Sequence, residues 1–182
     1  FVLRWNHSAL PAGTFTLRDG PGGVFFLVNM KQQDSLVITD SDVQVFQVVV
    51  DAGNTVYSSV QQGWNIVSVP VSVADRSKTS VFPASTSDAF AYTAAGYVNR
   101  DTLDYGKGYW LKFPSSQIVN ISGSNRNHDT AFVFTGWNLI GSTSVPVAVT
   151  AIQQVPFGIV SSSFFEYLGS YAAADSLRPA HG

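Results

Sequence analysis

Residues 63–71 read GWNIVSVPV and residues 136–147 read GWNLIGSTSVPV. Gly-Trp-Asn, two aliphatic residues and a Val-Pro-Val therefore occur twice, with the two openings 73 residues apart. The order continues downstream: Phe90 and Tyr92 are matched by Phe165 and Tyr167, and Tyr97, Asp101, Leu103 and Gly108 by Tyr171, Asp175, Leu177 and Gly182. Aromatic, Gly and Pro matches in one order at nearly constant spacing indicate one structural unit used twice. Gly108 leads on to Tyr109 and Trp110 whereas Gly182 is the last residue, so the second copy is expected to be truncated and the chain to be part of a longer precursor. Three segments are expected: 1–52, a first module over 53–130, and a second copy over 131–182, with SGSNRNHDT (122–130) as the turn between copies.

Outward from the repeat, short runs with a period of two recur: FTL (15–17), VFFLV (24–28), SLVIT (35–39), VQVFQVVV (43–50), WNIVSVPV (64–71), GYWLKF (108–113), IVNIS (118–122), AFVF (131–134) and WNLIGS (137–142). A period of two predicts strands whose successive side chains face opposite ways. Between them lie RDGPGG, DAGN and SGSNRN, rich in the Gly and Asn that tight turns require. Helical turns are expected only at 84–91, 148–154 and 171–177. The fold class is all-β, with tandem β-sandwich-like modules and short helical turns.

Composition agrees. Of 182 residues, 45% are hydrophobic, 13% aromatic and only 12% charged, which suits sheets with hydroxyl-rich faces better than charged amphipathic helices. A net charge of −2 gives no electrostatic reason to bind nucleic acid. No apolar run reaches the roughly 20 residues that a membrane-spanning helix needs. Cysteine is absent, which removes thiolate catalysis, disulfides and Cys-based zinc sites. Phe1 opens directly into the strand-like FVLRW, so no signal peptide is read at the start.

The order GWNIV-x-VPV, FAY, GY and then a closing GYWLKF resembles a module of secreted and cell-surface proteins of bacteria and archaea, including cargo of the type IX secretion system. Residues 3–23, LRWNHSALPAGTFTLRDGPGG, are similar to the second half of an immunoglobulin-like β-sandwich that commonly precedes such modules. The resemblance implies a secreted, cell-surface setting and an accessory part with no assigned chemistry. Ala180 stands where the first copy has Gly106, a departure from the closing motif.

Trp64 and Trp137 open equivalent strands and Trp110 follows a Gly-x-Gly turn, so each indole is expected to fill the core of its own module. The competing reading is a platform of outward rings for stacking on sugars, built from Tyr97, Tyr105 and Tyr109. Asn65 and Asn138 are expected to bond local backbone and fix a turn. Gly106 and Gly108 mark a turn or bulge; the third Gly and the Lys-Ser/Thr ending of a phosphate loop are missing. His7, His128 and His181 lack metal-ligand spacing, and TDSD (39–42) and RDTLD (100–104) read as solvated turns without a calcium-loop pattern. Glu166 is read as an outward residue between inward aromatics. Ser is plentiful, but no nucleophile elbow or Ser-His-acid set is marked out.

No catalytic, cofactor-binding or metal residues are therefore expected. The expected role is an extracellular structural or adhesive component of a surface stalk, matrix or filament. The alternative is a carbohydrate-binding accessory module of a secreted hydrolase. Expected partners are other copies or neighbouring surface proteins, joined by strand addition, with glycans a further class. FVLRW and YWLKF share a Leu-basic-aromatic pattern, so the first strand is expected to be able to take the closing-strand position in the second copy.

Overall fold

The structure, a computed structural model, describes residues 1–10, 13–20, 25–51 and 53–182. It contains two compact units, Phe1–Asn54 and Thr55–Gly182. The first holds strands β1 (Val2–Arg4), β2 (Thr14–Asp19), β3 (Leu27–Asn29), β4 (Ser35–Val37) and β5 (Phe46–Asp51). They form a three-stranded sheet in the order β3-β2-β5 and a two-stranded β1-β4 pair. Phe15 and Leu17, two apart on β2, point the same way and meet Met30, with Leu3, Trp5 and Leu10 packed against them. Part of RDGPGG, and Val24 of the run predicted from residue 24, lie outside the described residues.

Within the chain FVLRW is used in its own unit and not in the second copy. Val2 and Leu3 pair with Val37 and Leu36, and the Trp5 Nε1 donates to Met30 O at 2.7 Å, so the first strand is committed within its own unit.

The second unit holds β6 (Asn54–Val60), β7 (Gly63–Val67), a single helical turn α1 (Lys78–Val81), β8 (Ala89–Thr93), β9 (Gly96–Arg100), β10 (Tyr109–Phe113), β11 (Gln117–Gly123), β12 (Val147–Ala148), β13 (Phe164–Tyr167), β14 (Tyr171–Ala174) and β15 (Ser176–Leu177). Its main sheet has the order β7-β10-β8-β9, and β11-β6 forms a second layer. Alternate residues of the main sheet, among them Val67, Ala89, Ala91, Tyr109, Leu111 and Phe113, share a core with Val56, Val60, Val119 and Ile121 of the second layer. Each such buried apolar side chain contributes about 1.5–3 kcal/mol. The fold is all-β, as the period of two predicts.

Five local expectations change. The predicted turn at 84–91 is displaced: the helix is α1, capped by Ser77 Oγ accepting from Ser80 N–H, and Ala89–Tyr92 alternate into β8. The stretch 171–177 is β14 and β15, because hairpin pairing with β13 overrides the helix preference of its alanines. At 148–154 only a 3-10 turn, Val149–Ala151, forms. AFVF (131–134) is not a strand, and 137–142 contributes a single bridge, Ile140 to Lys107.

The backbone after each GWN meets the other half's turn, 106–108 or 180–182, through reciprocal contacts. Gly108 N–H donates to Leu139 O at 3.0 Å, and Gly182 N–H to Ile66 O at 3.3 Å. Gly141 N–H donates to Gly106 O at 2.9 Å, and Ser68 N–H to Ala180 O at 3.0 Å. Isolated bridges join Lys107 to Ile140 and His181 to Val67. Each of these backbone contacts from one half has its counterpart from the other. The approach needs glycine: a Cβ on Gly182 would lie 2.9 Å from Gly108 Cα, and one on Gly141 2.8 Å from Lys107 N. Ala180 keeps the left-handed backbone of Gly106, with φ 66 against 72.

A candidate aromatic surface

The side chains that alternate with the core set point to the outer face of the main sheet. β7 supplies Trp64, β10 Trp110, β8 Phe90 and Tyr92, and β9 Tyr97. Trp110 lies opposite Ile66 on one side and Phe90 on the other. Trp64 meets Phe90 at 5.9 Å and Trp110 at 6.4 Å between ring centroids, both edge to face, and Tyr92 meets Tyr97 at 5.0 Å. The second half repeats this with Trp137–Phe165 at 5.9 Å and Tyr167–Tyr171 at 5.4 Å.

The two sets are joined by Trp110–Tyr167 at 4.7 Å and Tyr92–Phe134 at 6.1 Å. Trp110 Nε1 is buried without an oxygen or nitrogen partner, and the indole packs edge to face against Tyr167. Burial, and then the neighbouring phenols of Tyr97 and Tyr167, hold the Tyr171 hydroxyl above its ordinary range. Edge-to-face contacts of this kind add about 0.5–1.5 kcal/mol per pair beyond area burial.

Trp64 and Trp137 do not fill cores: they are 42% and 64% exposed. They sit on the solvent side of their strands while their Asn neighbours face inward. Of the three tyrosines expected on a stacking platform, Tyr97 is 58% exposed but Tyr109 is fully buried, and its phenolic oxygen accepts from Asp104 N–H at 2.7 Å. Burial pushes the Tyr109 hydroxyl up. Tyr105 is half-buried, bonds Val73 N–H, and carries the Arg126 guanidinium 3.9 Å from its ring centre. The structure does not bring these three together on one face.

Asn65 and Asn138 fix their turns by the same bonds. Asn65 Oδ1 accepts from Gln61 N–H at 2.9 Å and its Nδ2 donates to Gln61 O and Gly63 O. Asn138 repeats all three with Phe134 and Gly136. Glu166 corrects its expectation: Phe165 and Tyr167 face out, and Glu166 on the opposite face is ion-paired with Arg178. Asp40 caps its own turn by accepting from Asp42 N–H, and Asp104 pairs with Arg76 and Lys107. His7 bonds Asp34 at 2.6 Å and His128 is exposed. Among the described residues no three His, Asp or Glu side chains converge as metal ligands.

Two arrangements escaped the sequence. Ser58 Oγ and His181 Nε2 lie 3.0 Å apart, beside a cavity of about 30 Å³. That volume holds one or two waters and no substrate. Burial, and then Arg178, hold the His181 imidazole below its ordinary value. Arg126 also pairs with Asp129 at 2.6 Å and donates to Val69 O, which pins the linker between the halves. Nothing local marks the Ser58–His181 pair or the Arg126–Val69 bond, whose partners are 123 and 57 residues apart.

The fold and surface define an all-β protein with an exposed aromatic face. Compared with known proteins, the chain matches no family model, no curated protein and no solved structure.

Proposed function

We propose that this chain is a non-catalytic part of an extracellular surface protein, structural or adhesive, that carries one β module twice and makes contact through its outer aromatic face. The observation that supports this most is the exposure of Trp64 and Tyr97 and of their counterparts Trp137 and Tyr171, with Phe165 exposed beside them in the second half. Buried aromatic area and well-packed rings dominate the energetics of protein contacts, and an exposed cluster of them marks an interaction surface. The paired arrangement presents the same chemistry twice, which raises avidity for a repetitive target such as a cell surface.

One observation favours the glycan reading as a second. Trp64 is flanked by Phe90 and Trp110, whereas the more exposed Trp137 has a ring contact to Phe165 alone among the described residues, so its indole offers the more open face to a sugar. The edge-to-face packing elsewhere does not make the flat row of rings that a long polysaccharide chain would track.

The test compares the chain with a Trp137→Ala/Tyr171→Ser variant of matched melting temperature. Co-sedimentation with bacterial cell walls and self-association by sedimentation velocity are measured. The native chain is expected to be retained or to self-associate, and the variant to bind about tenfold more weakly or less. Retention reversed by a soluble oligosaccharide moves the assignment to glycan binding. A native chain that stays monomeric and unretained contradicts both readings.

A further inference from the structure

In the first half β10 lies between β7 and β8, antiparallel to both, and Trp64 reaches over it to Phe90 at 5.9 Å with the rings at 65°. In the second half Trp137 reaches Phe165 at the same 5.9 Å with the rings at 68°. Their backbones, 136–140 and β13, thus hold the positions of β7 and β8. β13 is paired on one edge by β14. Residues 136–139 join other backbone among the described residues only through Leu139 O, which accepts from Gly108 N–H. By that equivalence the place that β10 takes in the first half corresponds to the space between 136–140 and β13.

Apolar side chains of the second half are open where their first-half counterparts are covered. Phe82 packs edge to face against Phe113 of β10 and is 1% exposed. Phe157, its counterpart by sequence order, is 96% exposed. Val69 is buried and its counterpart Val145 exposed.

We propose that the groove between 136–140 and β13 binds an extended peptide segment of the β10 type, antiparallel to both edges. The occupant alternates apolar residues toward the core with a large aromatic outward, as Tyr109-Trp110-Leu111-Lys112-Phe113 does. Main-chain bonds to the two edges supply affinity, and alternate side-chain pockets supply specificity. Gly182 is bonded to Ile66 O as Gly108, the residue before β10, is bonded to Leu139 O. The inference rests on the sheet geometry and not on the aromatic surface being adhesive.

The test is hydrogen exchange of the labelled chain with a synthetic peptide, Gly-Tyr-Trp-Leu-Lys-Phe-Pro. Amides within 136–139 and 164–167 are expected to slow about tenfold or more on saturation, with no change in β1–β4. A peptide with Pro in place of its Leu should have no effect, because it cannot complete the ladder. Phe165→Ala should weaken the protection, since it removes one wall of the groove. A version with Tyr-Trp-Leu-Lys-Phe appended after Gly182 raises the local concentration of the same strand. Protection in either format supports the proposal. Unchanged exchange at these edges in both overturns it.

Discussion

Asn65 and Asn138 make the same three hydrogen bonds in different surroundings, which separates chemistry from burial. Asn65 is buried, so losing its amide leaves Gln61 N–H and two carbonyls in a partly buried turn without their partner. Asn138 is half-buried, and water replaces part of what its loss removes. An unpaired buried polar group costs about 1–3 kcal/mol. Asn65→Ala is therefore expected to destabilise the second unit by about 2 kcal/mol, and Asn138→Ala by about 1 kcal/mol or less. Urea unfolding of the two variants checks the order; a neutral Asn65→Ala contradicts it. The Asn role was legible because a polar residue repeated two positions after a Gly has a local job. The Trp positions were misread for a related reason: repetition says that two residues share an environment, not that the environment is dry. Whether Trp64 faces in or out depends on which side of β7 the β11-β6 layer covers, and that is a long-range fact.

Among the elements, the strands with strong alternation were legible and those lacking a neighbour were not. Phe15 and Leu17 on β2, or Tyr109, Leu111 and Phe113 on β10, alternate inside one short run, so the period fixes their face. WNLIGS has the same pattern as WNIVSV but forms only a bridge, because a strand needs a partner backbone and the sequence does not show where one comes from. The alanine-rich 171–174 was misjudged for the complementary reason, its partner β13 being seven residues upstream.

The segment 180–182 is the element whose hold depends on pH. His181 bonds Ser58 of β6, and its backbone oxygen accepts from Ser68 Oγ just after β7. Its folded imidazole is held below the ordinary 6.5, so protonation favours the unfolded chain. The sign follows: this stability is fully present above about pH 6.5 and is lost as the pH falls below it. Urea midpoints measured from about pH 8 down to pH 5 should decline over that window, and His181→Gln should flatten the decline. A profile that is the same in both proteins contradicts the assignment.

For the second unit as a whole, the central feature is that two sequence-similar halves clasp each other instead of folding side by side as beads. Gly141 and Gly182 allow backbone approaches that a Cβ would block, a Cβ on Gly108 would sit tightly 3.1 Å from Ile140 O, and Arg126 and the Ser68–Ser142 hydroxyl pair, 2.9 Å apart, lie along the same seam. The sequence revealed that there are two halves but not that they share a seam, because glycine conservation between copies is compatible with a turn in each as well as with a contact between them. The most direct test is a nuclear Overhauser measurement between the α-protons of Gly108 and Gly182 in the labelled full chain. The reciprocal clasp predicts a strong cross-peak, since a Cβ on Gly182 would fall 2.9 Å from Gly108 Cα. Its absence, with both α-proton resonances assigned and sharp, would contradict the account.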